Sequence, residues 1–310
     1  MKLEGRQITD GLRFPEGPIA LPDGSVLVVE IEGARLTKVL PDGRKEVVAE
    51  VGGGPNGAAM GPGNQVYVCN NGGFNWITDT NFDPGGYLRP HGKADNYNNA
   101  GIQRVDLSSG KVEMLYTHCG DNPIMGPNDI VFDGKGGFYF TDHGKTYGRL
   151  MDRGAIYYAA EDGSHIEEVV FGMITPNGVG LSPDGDTLYA SETETGRVWA
   201  WPILSPGKLA KEHWPSPAGG RFIGGPTGYQ RFDSMAIEEN GNICVASLVA
   251  AGVSVFSPEG GLVEFRAAPE PYCTNICFGG EDNRTAFITL SGYGTLIAVD
   301  WPRAGLELVY

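Results

Sequence analysis

A short polar residue recurs six times in one frame along this chain, at Glu16, Asn56, Asn128, Asn177, Asp233 and Asn275. Seven or eight positions after each stands a pair of turn-formers: Asp23-Gly24, Gly63-Asn64, Lys135-Gly136, Asp184-Gly185, Asn240-Gly241 and Asp282-Asn283. A β-rich run follows each turn: VLVVE, VYVCN, FYFTD, TLYAS, ICVAS and TAFIT. The markers lie roughly 40 to 70 residues apart, and about 40–50 residues hold the four short strands of one propeller blade. The repeat predicts an all-β chain, a six-bladed β-propeller with four antiparallel strands per blade. In the first blade the strands are expected near 17–21, 26–31, 35–39 and 45–49, with Asp23-Gly24, Glu32-Gly33 and Asp42-Gly43 as turns. The fourth blade repeats the scheme, its third strand beginning at Arg197-Val-Trp-Ala-Trp. No ten-residue segment has helical apolar periodicity, so almost no helix is expected.

Nothing Pro-rich or charged separates domains, so residues 1–310 are expected to form one domain with loop insertions near 71–100 and 205–231. Either Lys2–Ile8 or Leu306–Tyr310 supplies the outer strand of the last blade, and the sequence leaves both open. The first insertion carries Phe74, Trp76, Phe82, Tyr87, His91 and Tyr97, and reads as a lid or pocket wall. The second, with His213, Trp214 and Pro215, is expected to overhang the same site.

The formal net charge of −15 argues against nucleic acid, whose phosphates an acidic surface repels. No apolar run approaches the ~18 residues of a membrane span, and Met1-Lys2-Leu3-Glu4 does not resemble a signal peptide. A cytoplasmic protein without membrane or nucleic-acid partners is expected. Among the five cysteines, Cys69 and Cys244 fall in predicted strands as small buried thiols. Cys273 and Cys277 lack the partners of a zinc site. Gly52-x-Gly54-x-x-Gly57 imitates a dinucleotide fingerprint, but a strand follows it where the helix that binds pyrophosphate should start. There is no G-x-S-x-G elbow and no H-E-x-x-H.

In a propeller the innermost strands line a central channel, and the loops entering them ring one mouth. The markers, each expected just before an innermost strand, should therefore converge. Carboxylate and amide oxygens are hard ligands, suited to one divalent ion. Calcium is the first choice; magnesium, manganese, zinc and iron(II) are alternatives.

Phe14-Pro15-Glu16-Gly17-Pro18, Gly126-Pro-Asn-Asp129, Thr175-Pro-Asn-Gly178 and Phe232-Asp-Ser-Met235 resemble, in order and spacing, the gluconolactonase/regucalcin (senescence marker protein) family. That family comprises six-bladed metal-dependent lactonases, related in architecture to diisopropylfluorophosphatase and the paraoxonases. The resemblance implies metal ligands at Glu16, Asn177 and Asp233, with Asn128 either coordinating the metal or holding substrate. Asn56 and Asn275 share the frame and are expected to orient ligands or contact substrate. Gly126 stands where the regucalcin type has an arginine, which speaks against its sugar-acid preference.

The implied reaction is opening of a small lactone, with the metal polarising the carbonyl and water attacking. Asp233 is the first candidate base and Glu16 the second. His143 is placed to meet the leaving alkoxide or the substrate, and Tyr147 and Arg149 are further candidate contacts. Few cations in the first insertion, Arg89 and Lys93, point to a neutral or partly apolar lactone rather than a multiply charged one. Three alternatives stay open: a calcium-binding regulatory propeller without catalysis, a scaffold for other proteins, and a phosphotriester hydrolase of the diisopropylfluorophosphatase type.

Overall fold

The structure, a computed structural model, describes residues 2–81 and 84–310; Met1 and Phe82 lie outside the described residues. Six antiparallel sheets, five of four strands and the fourth blade's of five, follow one another around a ring. The first is Pro15–Ala20, Val26–Glu30, Arg35–Val39 and Lys45–Glu50, within a residue or two of expectation. The innermost strands of the other blades are Pro55–Gly61, Pro127–Phe132, Pro176–Leu181, Phe232–Ile237 and Cys273–Gly279. Each innermost strand packs against the next, and the sixth against the first. The only helical turn among the described residues is Pro217–Gly219.

The strand runs are apolar on both faces because each sheet is sandwiched between two others. Six separate clusters result, one at each blade interface. Leu27, Val29 and Leu36 of the first blade meet Val66, Val68 and Val105 of the second. Tyr67, Cys69 and Ile102 meet Phe132, Phe138 and Phe140 at the next interface. Val26 and Val28 meet Phe287 and Leu296 where the sixth blade returns to the first. Full burial of each such side chain contributes about 1.5–3 kcal/mol. The five cysteines are all free, with Cys69 and Cys244 buried as expected. Hairpin turns take their left-handed residues at Gly24 (φ 79°) and Gly43 (φ 85°). At the Glu32-Gly33 turn that role falls to Ala34 (φ 54°) instead.

The N-terminal strand Gly5–Thr9 closes the ring as the outer strand of the last blade, pairing with Thr295–Asp300. The rival C-terminal run instead crosses the face opposite the markers, from blade five to blade three. There the Leu306 amide bonds Ile237, and Tyr310 meets Phe132 and donates to Glu161.

The two insertions part company because strand direction alternates. Residues 71–100 follow a second strand, which ends at the markers' mouth, and fold into the hairpin Phe74–Asp79 with Tyr87–Lys93. The 205–231 segment follows a third strand, which runs away from that mouth. Its Lys208–Leu209 pairs back on that third strand, and Arg221–Gly224 becomes the blade's outer strand. The expectation that it overhangs the site therefore does not hold: Trp214 is 92% exposed on the outer rim, and only the return through 225–231 comes back to the mouth.

Candidate functional site

The markers lie within the innermost strands, not before them, as the second residue of five and the third of the sixth. A break in register follows or adjoins each one, as between Glu16 and Ile19 or Pro127 and Ile130. Such bulges bend a strand and re-aim its side chains. Small residues next to the markers let neighbouring strands touch. A Cβ at Gly17 would stand 2.7 Å from the Ala58 nitrogen, and one at Gly178 2.7 Å from the Met235 nitrogen.

Five of the six side chains are buried, and Asp233 keeps part of its surface open to the mouth. Glu16 Oε2 accepts from Asn275 Nδ2 at 2.8 Å and from the Gly17 amide at 3.0 Å. Asn275 thus holds a carboxylate in place. Asn177 Nδ2 donates to Thr193 Oγ1 at 3.0 Å. Asn128 Oδ1 is buried with no hydrogen-bond partner among the described residues. Burial pushes Glu16 up to about 7, against the bonds from Asn275 and Gly17. Asp233 lies well above the carboxylate range, first through burial and then through the Glu16 charge. Two mutually repelling carboxylates beside an orphaned amide oxygen are what an oxygen-ligated cation would satisfy. The set Glu16, Asn128, Asn177 and Asp233 fits such an ion in donor chemistry. Among the described residues no three or more His, Cys, Asp or Glu side chains group as a metal site, because this set takes half its oxygens from amides.

A second ring, which reading the markers alone missed, fixes the loops that lead into them. The last residue of each second strand in blades one to four accepts from that loop's backbone. Glu30 takes the Arg13 amide (2.7 Å), Asn70 that of Gly54 (2.8 Å), and Glu192 that of Ile174 (2.7 Å). Asp142 takes three, from Met125, Gly126 and Gly144. Hydroxyls bridge one blade to the next: Ser191 bonds the Asp233 carbonyl at 2.7 Å, and Thr141 that of Asn177 at 2.5 Å. Phe14, Thr175 and Tyr272, just before three markers, are left-handed at φ 57°, 50° and 56°. Each costs about 1–3 kcal/mol, and such strain gathers where a site requires a fixed geometry.

Asp129 is the other omission. It occupies the position that Gly17, Gly57 and Gly178 hold in other blades, and burial lifts it to about 7. Bonds from the Ile130, Val179 and Met235 amides and from Ser234 oppose that rise. A carboxylate in a glycine position of the repeat was its signal in the sequence.

Above the markers the hairpin forms an aromatic shelf. Phe74 meets Trp76 (6.2 Å between centroids), Trp76 meets Phe14 (5.0 Å), and Tyr87 meets Tyr272 (5.1 Å). Tyr97 donates to the Met125 carbonyl at 2.6 Å, tying the insertion to blade three. His143 follows the second strand of blade three, and its amide bonds the Gly126 carbonyl at 2.9 Å. Burial, then the Lys145 charge, holds its imidazole down at about 4, so it is neutral at pH 7. Tyr147 commits its hydroxyl to Asp152, and Arg149 and His91 are exposed. Asn56 stays in the marker ring, 6% exposed.

The fold and site define a class: an all-β six-bladed propeller with an acid-and-amide cluster at one end of its channel. A sequence profile described as SMP-30/Gluconolactonase/LRE-like region matches residues 14–292, and the chain belongs to that family. A gluconolactonase from Zymomonas mobilis is 24% identical over 92% of this chain and 78% of its own. The lactonase drp35 of Staphylococcus saprophyticus is 32% identical over 52% of this chain and 47% of its own, so the match spans about half of that relative. The solved structure of regucalcin from Agrobacterium tumefaciens, described as a calcium-binding protein, superposes with a TM-score of 0.73. It covers 99% of each chain at 18% identity, a likeness of fold.

Proposed function

We propose that this chain is a lactonase, a carboxylic ester hydrolase that opens a small lactone at the mouth of the propeller with the help of one divalent cation. Family membership and the relatives named lactonase and gluconolactonase support the reaction class. The observation that carries the site is the convergence of Glu16 and Asp233 beside the unpartnered Asn128 oxygen. Glu16, Asn128, Asn177 and Asp233 would hold the ion, calcium being the first choice for oxygen ligands. Bound there, it supplies Lewis-acid polarisation of the carbonyl.

The chain's own groups do the rest. Asp233, partly open to the mouth, takes a proton from the attacking water, with Glu16 as second candidate. Water oxygen bonds to the carbonyl carbon, the ring C–O bond breaks, and the departing ring oxygen takes the proton that Asp233 received and ends as a hydroxyl. His143, a neutral imidazole, donates a hydrogen bond toward that leaving oxygen. Asn275 keeps Glu16 oriented, and the aromatic shelf excludes water from the substrate's apolar side. Asn56 and Tyr147 border the substrate. The test is a panel of five- and six-membered lactones with chelator, then with calcium, magnesium, manganese or zinc restored. Turnover that needs a metal and disappears in Asp233→Ala is expected. Full turnover by Asp233→Ala in excess chelator would refute the reading, and a bound metal without turnover would favour a regulatory role.

A further inference from the structure

Lys145 is 3% exposed, and no carboxylate lies within 4 Å of its ammonium among the described residues. Four other buried charged side chains have an ion-pair partner. Glu30 pairs with Arg35, Asp79 with Arg89, Glu238 with Arg303, and Arg266 with Glu264. The nearest partners of Lys145 Nζ among the described residues are neutral, Asn71 Oδ1 at 3.2 Å, the Gly73 carbonyl at 3.3 Å and the Phe74 ring centroid at 3.9 Å, while the Asp142 and Asp152 charges act on it from farther off. Burying an unpaired cation is costly, and the cost persists where a function requires it.

A second observation points the same way. Asn71 is 2% exposed, and its Oδ1 is fixed by the Gly73 amide (2.8 Å) and by Lys145. Its Nδ2 donor has no hydrogen-bond partner among the described residues. Lys93 Nζ lies 4.3 Å from the centroid of the Tyr97 ring, and Lys145 lies 5.6 Å from that same centroid, which adds a second cation. Donors are thus in surplus at this seam. It also lies beside the candidate site: Asp142 pairs with Pro127, the neighbour of Asn128, and Lys145 is three residues past Asp142. Asn71 approaches Gly54, two residues before Asn56.

We propose that Lys145 and the Asn71 amide receive an anionic oxygen group of the substrate, so that the lactone opened here carries a carboxylate. The assignment rests on the lactonase reading and narrows its substrate class. The cation comes from outside the 71–100 insertion, whose Arg89 is already paired with Asp79. In a chain of net charge −15, a carboxylate substrate needs such a local cation to overcome general repulsion. The low dielectric around Lys145 strengthens that attraction once the ligand displaces water.

Calorimetric titration with tetrahydrofuran-2-carboxylate, a ring acid that cannot be hydrolysed, tests the assignment apart from turnover. Wild type should bind it well above the neutral tetrahydrofurfuryl alcohol. Lys145→Met should weaken acid binding by about 10- to 100-fold, the span of a charge-assisted hydrogen bond. Asn71→Asp, nearly isosteric, sets an internal carboxylate against Lys145 and should block the acid without unfolding the chain. Equal affinity of wild type and Lys145→Met for the acid, or equal affinity for acid and alcohol, overturns the inference. Turnover separates the two readings. A lactone opened equally well with and without a carboxylate refutes the charge assignment alone. Acid binding without opening of any lactone refutes the lactonase reading alone.

Discussion

The two long insertions look alike in the sequence and end in different places. Residues 71–100 leave a strand at the mouth where the markers gather, so their aromatics settle on Phe14 and Tyr272. The 205–231 segment leaves a strand at the opposite face and folds onto the outer edge of its own blade, with Trp201 Nε1 bonded to the Ala218 carbonyl. A propeller strand reverses direction at every turn, so one strand's difference in position moves an insertion from one face to the other. Composition alone cannot place a loop; the parity of the preceding strand does.

This contrast between mouth and rim can be tested at several strengths. Asp233→Ala and Glu16→Ala should each lower lactone kcat/KM by roughly 10²–10⁴-fold while circular dichroism stays unchanged. Comparable activity in either variant would break the mouth's claim. Excising the 74–93 hairpin for a short Gly-Ser link should cost about 10²-fold through lost substrate positioning. Excising 206–219 at the rim should leave activity intact, and equal losses would erase the distinction. Asn275→Ala frees Glu16 from its bond and should cost about 10–100-fold in metal affinity or rate, read by metal titration.

The fourth test concerns stability. Burial carries Lys145 from the ordinary 10.5 down to about 7. Between those values the folded chain binds fewer protons than the unfolded one, so stability falls as pH drops from 10.5 toward 7. Lys145→Met removes that penalty and should stabilise the fold by on the order of 1–4 kcal/mol at pH 7. The gain should shrink as pH climbs toward 10.5, as denaturant titrations across pH would show. The smallest effect belongs to the rim: Trp214→Ser should change stability by less than about 0.5 kcal/mol and activity not at all.

Much of this was legible beforehand. The six markers and their turns predicted the blade count, and the first blade's strands came within a residue or two. Both signals are local: a turn needs its glycine and a doubly buried strand needs its apolar run. The bulge that draws each marker inside its strand was not legible, because it arises where neighbouring innermost strands touch, as Gly17 does against Ala58. Asp129 and Lys145 escaped notice for a related reason. An Asp and a Lys are ordinary surface residues until packing buries them.

The sequence by itself determined the repeat, and through it the ring, since a strand pattern recurring six times closes its sheets only in this way. It also supplied the acids and amides that the ring could bring together. Tertiary structure decided the rest. It chose Gly5–Thr9 over the C-terminal run to close the last blade, because that strand meets the free edge of Thr295–Asp300. It also sent one insertion over the mouth and the other to the rim, and left Lys145 buried with no direct ion-pair partner among the described residues. These outcomes depend on which distant surfaces come into contact, and a linear pattern carries no record of that.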